Sequence, residues 1–275
     1  MTEQPRRRYP HYLLDLDPEL AAQLEAPVRL LARPAATALT FALEPRQLEL
    51  SRWLEAARGG PGLLLLSGSL VRYARVAGRD VAELVGRGDL LQTDGYEEEF
   101  IRCEYGWRVL ERARLAILDA AFAERVKPWP QINQALLRRV ERRVHHLAVQ
   151  RAIAAHPRLE VRLVLLLWHL AARWGKVEPG GIRLPLPLTH HLLGRLVSAE
   201  RPSVTHALKR LHDAGLIRGG VDGWHLRGSA DEHLSALSPE NILAGAHAPR
   251  PRPAHVPAGG RAHVRARTNE NQVAR

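Results

Sequence analysis

The stretch "LTHHLLGRLVSAERPSVTHALKRLHDAGLIRGGVDGWHL" (Leu188 to Leu226) constrains this chain more than any other. Leu192, Leu193, Leu196 and Val197 give one apolar face to a first short helix, which Thr189 can cap. Gly194 leaves room for a second helix to approach. "SAE" is a break of about three residues. Val204, Ala207, Leu208 and Leu211 then recur at i, i+3, i+4 and i+7, so a second helix buries that side. Pro202 suits its first turn, where a missing N–H costs nothing. Gly215 stops it. "LIRGGVDGWHL" reads as two short strands around a glycine turn, a wing.

Two short helices at this spacing form a helix-turn-helix. A B-DNA major groove, about 12 Å wide, admits one helix. The first helix would cross the backbone, which brings Thr189 and His190 into the candidate DNA-binding set. Arg201, at the head of the second helix, can offer two donors to a guanine edge. Ser203 and Thr205 can donate to phosphate or a base edge, and Lys209 and Arg210 can hold phosphates. His206 lies on the same flank. Gly219, Gly220 and His225 of the wing can approach the backbone or minor groove. The simpler alternative is an amphipathic surface helix whose charges are only solvated. The ordered series of extended Pro-Leu-Pro-Leu edge strand, capped helix, tight turn, basic-headed helix and glycine wing favours DNA.

Upstream, "GLLLLSGSLVRYARVAGRDVAELVGRGDLL" reads as strands separated by turns at Gly68-Ser69 and Gly78-Arg79-Asp80, and "WRVLERARLAILD" as two more strand-like pieces. This spacing predicts a small antiparallel barrel or sandwich. From Pro130 to about Ala155 the period becomes helical. Ile132, Leu136, Val140, Val144 and Leu147 form a narrow stripe, the width of a seam between two long helices or of packing on the barrel. His156-Pro157 ends that helix, and Leu159 to Trp174 is apolar almost all round, as a central core helix should be.

The net charge of +11 attracts polyanions such as nucleic acid or an anionic membrane. A single cysteine, Cys103, excludes an internal disulfide and is expected in the barrel core. No apolar run is long enough to span a bilayer and no secretion signal is visible, so a cytoplasmic protein without a membrane partner is expected. The adjacent pairs His145-His146 and His190-His191 do not have zinc-ligand spacing. No P-loop, dinucleotide fingerprint, Gly-x-Ser-x-Gly or His-Glu-x-x-His appears, so no catalytic residue, metal or cofactor is expected. The tail, "AHAPRPRPAHVPAGGRAHVRARTNENQVAR", lacks periodicity and is expected to stay largely disordered.

The helix-turn-helix sequence resembles the C-terminal module of Crp/Fnr-type transcription regulators, and the barrel, long helix and winged helix follow in that family's order over about residues 10–235. The resemblance implies an α+β fold: a cyclic-nucleotide-binding-like antiparallel β-barrel over 1–128, a dimerisation helix over 129–156, a winged helix-turn-helix over 157–235 and a tail over 236–275. It implies a homodimer on double-stranded DNA, with RNA polymerase as a further partner. In such proteins the leading arginine, here Arg201, reads a guanine; a hydroxyl two residues on, here Ser203, touches phosphate; and His206 stands at a second basic reader's place. Pro202 replaces the usual glutamate, so a different operator is implied.

In the barrel, Gly88-Asp89-Leu90-Leu91 matches the approach to the family's cyclic-phosphate cassette. The cassette itself is missing. "DGYEEEF" stands there, and Glu97, Glu98 and Glu99 would repel a phosphate. Cyclic AMP binding is therefore not expected, which leaves an unliganded scaffold or an unknown small-molecule effector. A dimeric effector-sensing or interaction protein that does not bind DNA specifically is the alternative.

Overall fold

The computed structural model describes residues 9–45, 47–48, 50–92, 101–220 and 223–238. The N-terminal half is built on one antiparallel sheet, with β1 (Tyr9–Tyr12), β2 (Thr37–Leu43), β3 (Gln47–Leu48), β4 (Gly62–Val76), β5 (Arg79–Gly86), β6 (Leu90–Leu91) and β7 (Cys103–Leu118). Its pairing path is β1-β2-β7-β4-β5, with β3 on β7 and β6 on β4. Short helices α1 (Leu13–Leu16), α2 (Ala26–Ala35), α3 (Ser51–Ala56) and α4 (Ala120–Val126) pack around it.

Among the described residues the sheet does not close, which corrects the expected barrel. Side chains of the long helix α5 (Pro130–Ala155) reach the β5 edge instead. The Gln150 side-chain amide donates to the Ala82 carbonyl of β5 at 2.7 Å. Arg143 forks onto Glu83 at 2.7 and 2.8 Å.

Three further expectations change. Gly68-Ser69 is not a reversal but an irregularity inside the continuous strand β4, where register against β7 shifts between Leu65 and Leu70. Gly68 has φ +82°, and a Cβ there would lie 2.3 Å from the Arg112 carbonyl oxygen, so only glycine fits the bulge. "WRVLERARLAILD" is one strand rather than two pieces, because β7 runs unbroken opposite β4. Cys103 is half-buried at the first position of β7, opposite Val76, and is not a core residue.

α5 starts at Pro130 and ends ahead of His156, as its sequence predicts. Its stripe divides. Ile132 and Leu136 are buried under the sheet, Val140 is half-buried, and Val144 and Leu147 are exposed. Arg139, on the buried side, reaches Asp17 and Glu19 at 2.9 Å each.

α6 (Leu159–Trp174) buries Val161, Leu163, Val164, Leu166, Leu167, Leu170 and Ala171 at the centre of the C-terminal core. Around it stand β8 (Lys176–Glu178), β9 (Gly181–Leu184), α7 (His190–Val197), α8 (Arg201–Asp213), β10 (Ile217–Gly220), β11 (Gly223–Arg227) and α9 (Ala230–Ala236). The strands form a second antiparallel sheet, β10-β11-β9-β8. The expected Pro-Leu-Pro-Leu strand is absent, since β9 stops at Leu184. Pro185 and Pro187 have no N–H for a ladder, and the Leu186 and Leu188 amides donate to carbonyls two residues back, at 2.9 and 2.8 Å. Val71, Ala82 and Leu84 of the first sheet join the core of α6, α7 and α8, so one apolar cluster spans the two halves. No described helix is long and apolar enough to cross a membrane.

Candidate nucleic-acid interface

The Thr189 hydroxyl accepts the Leu192 amide at 3.2 Å and caps α7, as expected. α7 ends at Ser198, a left-handed residue (φ 56°, ψ 50°) from which the chain reverses. The reversal brings the Ala199 amide back to the Gly194 carbonyl at 2.8 Å. A Cβ on Gly194 would lie 2.5 Å from the Ala199 oxygen and 3.6 Å from Val204 Cγ2 of the second helix, so this glycine admits the turn, and the second helix packs beside it.

α8 begins at Arg201 with Pro202 in its first turn and ends ahead of Gly215. Val204, Ala207, Leu208 and Leu211 are buried. Arg201, Ser203, His206 and Lys209 are exposed along the opposite flank. A cationic ridge on a buried apolar base is thus presented to solvent.

Three expected contacts are engaged within the chain. The Thr205 hydroxyl donates to the Arg201 carbonyl at 3.1 Å. With that proton committed, His190 carries its own proton on Nδ1 and donates it to Thr205 at 2.9 Å. Thr205 and His190 therefore brace α8 against α7, and the His190 ring lies 6.4 Å from that of Trp224 in the wing. Arg210 forms an ion pair with Glu160 in the first turn of α6, tying α8 to the core helix.

Between α8 and the wing lies a groove of about 580 Å³, lined in part by Thr205, Lys209, His212, Gly219 and Gly220. His212 was not singled out in the sequence. Neither was a row across the second sheet, where Lys176 pairs with Arg183, Arg183 with His225, and His225 with Arg218 in direct register. Trp224, Leu226 and Leu184 point the other way, into the core. Like charges directly opposite are unfavourable, and Glu178, which accepts from Arg183 and lies 3.8 Å from His225, offsets them. Alternation along β9 and β11 was the signal that could have found this row.

Residues 161–227 match the Crp-like helix-turn-helix domain. The span begins in α6 and ends with β11, so it contains the whole capped turn, the cationic ridge and the wing. A CRP/FNR-family transcriptional regulator from Thermus thermophilus shares 21% identity, covering 71% of this chain and 96% of its own, at a TM-score of 0.50. The regulator CLP of Xanthomonas campestris, described as c-di-GMP responsive, shares 19% over 74% of this chain and 100% of its own, at 0.54. A cyclic nucleotide-binding domain containing protein of Listeria monocytogenes shares 15% over 70% and 89%, at 0.56. No curated protein matches the chain. The fold is that of the Crp/Fnr-type regulators, and together with the Crp-like domain it supports a transcription regulator.

The first sheet's interior is filled by side chains. Trp53 and Phe41 stack at 4.2 Å between ring centroids, and Leu63, Leu65, Leu70 and Leu115 close around them without exposure. The "DGYEEEF" segment lies outside the described residues.

Proposed function

We propose that this chain is a sequence-specific DNA-binding regulator that works as a homodimer on a near-palindromic operator, without cyclic AMP. In this reading residues 1–128 form the regulatory domain, 129–156 pair the subunits and 157–235 read DNA. The observation that carries it is the exposure of Arg201, Ser203, His206 and Lys209 above a fully buried apolar face. α8 enters the major groove, Arg201 meets a base edge and Lys209 a phosphate. Thr189, His190 and Thr205 hold α7 and α8 in position at the backbone. Arg210, tied to Glu160, contributes a phosphate contact only if that pair opens.

The dimer reading is supported by Leu137, Val144 and Leu147, an exposed apolar line on α5 at heptad-like spacing. Two recognition helices related by a two-fold would meet half-sites roughly 34 Å apart. The filled sheet interior supports independence from cyclic AMP. RNA polymerase is a further partner in this reading, with the protein acting in the cytoplasm.

Selection of bound duplexes from random DNA, followed by titration of Arg201→Ala and Lys209→Ala, tests the proposal. Arg201→Ala should cost about 1–3 kcal/mol and relax one operator position. Lys209→Ala should weaken all sequences similarly and lower the salt slope by about one per contact. Unchanged binding by both variants, or an enriched pool without a shared motif, overturns it.

A further inference from the structure

The basic side chains of α8 are not equally free. Arg201, His206 and Lys209 are exposed and enter no ion pair among the described residues. Arg210 follows Ser203 by seven residues and His206 by four, so it shares their flank of the helix. Its guanidinium is nevertheless turned back onto Glu160, in the first turn of α6. The arginines on either side of Glu160 are committed elsewhere. Arg158 donates to the Leu237 carbonyl behind α9. Arg162 donates to the His156 and Val197 carbonyls, at 2.5 and 3.3 Å. Among the described residues Arg210 is therefore the one cation that forms an ion pair with Glu160. Exposure decides how readily that pair opens. The Arg210 side chain is 67% exposed, but that of Glu160 is only 15% exposed. A fully exposed pair would exchange its carboxylate for a DNA phosphate at little cost. Here the exchange leaves a half-buried carboxylate without its cation, and that opposes it.

We propose that Glu160 is a positioning residue for DNA binding: by holding Arg210 against α6, it withholds one phosphate contact per subunit from the duplex. This role rests on the proposed DNA reading of α8 and deepens it. Phosphate contacts carry no sequence information and are made to operator and random duplex alike. Withholding one lowers the affinity for both and leaves the choice between them to Arg201. Glu160 thus sets how tightly the chain clings to bulk DNA without touching DNA itself. A carboxylate beside the duplex also repels phosphate directly, but that effect does not pass through Arg210, so the two are separable.

The test measures the full chain's affinity for a selected duplex and for random duplex across a salt series. The wild type is compared with Glu160→Gln, Arg210→Gln and the double variant. Glutamine keeps the shape of Glu160 and removes its charge. Glu160→Gln should tighten both duplexes and steepen the salt slope by about one per subunit, with the selected motif unchanged. Arg210→Gln should then cost the Glu160→Gln chain about eightfold per subunit, the value of one phosphate contact at about 0.1 M salt, and cost the wild-type chain less. Equal costs in the two backgrounds overturn the proposal. So does a gain from Glu160→Gln that survives in the double variant, since repulsion acts without Arg210. Circular dichroism checks that each variant folds. If Glu160→Gln does not fold, the wild-type chain decides. NMR of nitrogen-labelled arginine should show the Arg210 guanidinium at the same shift and equally hindered with and without duplex; a guanidinium released or shifted by duplex overturns the proposal. A wild-type chain that binds no duplex sinks the DNA reading itself. A wild-type chain that binds duplex, with Glu160→Gln identical to it in affinity and slope, sinks only the role of Glu160.

Discussion

Replacing Arg139 by Met should destabilise the fold by about 3–5 kcal/mol, the cost of stripping one partner from a buried ion pair. The geometry sets that figure. One Arg139 nitrogen lies 2.9 Å from both Asp17 oxygens and 2.9 Å from Glu19. The Arg139 side chain is 7% exposed and that of Asp17 is 4%. Methionine fills much of the same volume, so little of the loss comes from a cavity. What remains is a carboxylate in the interior with its counter-charge gone and a second carboxylate, Glu19, beside it. The double variant Arg139→Met with Asp17→Leu should recover most of the loss, because it removes both buried charges. Urea unfolding at one fixed protein concentration, in a four-member cycle, measures this. A single-variant loss below about 1 kcal/mol, the scale of a solvent-exposed pair, would refute the reasoning. So would losses that simply add in the double variant, since residues in direct contact should couple.

Val144→Glu should dissociate the proposed dimer while leaving the monomer folded, because Val144 is 60% exposed; sedimentation against circular dichroism separates the two effects. Gly194→Ala should cost about 1–3 kcal/mol, as its methyl would press on the Ala199 carbonyl, and duplex binding should fall further than stability because the turn into α8 shifts. Burial pushes the imidazoles of His146, His169 and His233 below the usual histidine range, with the Arg173 charge adding at His146 and the His146 charge at His169. The unfolded chain then takes up protons that the folded chain does not, so stability is full above about pH 6.5 and declines as pH falls below it. Urea midpoints that stay constant between about pH 7.5 and 5.5 would contradict this.

The C-terminal module was legible because each signal was local. Caps, a first-turn proline and an i, i+3, i+4, i+7 face lie within a few residues of one another, and α7 and α8 appear where Thr189, Pro202 and the Val204 face put them. The first sheet was less legible because its decisive facts are long-range. Gly68 reads as a turn in sequence, and only the Arg112 strand opposite shows that it serves a bulge. The α5 stripe has one period but two destinations, the sheet for Ile132 and Leu136 and the surface for Val144, and periodicity does not record which partner waits at each turn. Among the site residues, Arg201, Ser203, His206 and Lys209 are exposed as their helical positions require. The engagement of Thr205 with His190 and of Arg210 with Glu160 depends on neighbours 15 and 50 residues away.

Gln150 also donates to the Leu196 carbonyl of α7, at 3.1 Å, besides its contact with β5. One primary amide therefore grips sheet and reading head at once, and both grips fall on main-chain oxygens. Main-chain oxygens are present whatever residues occupy positions 82 and 196. Mutational drift at those two positions leaves this clasp intact, whereas position 150 is a point of single failure. Twisting the long helix about its own axis must drag the two halves together or break both grips.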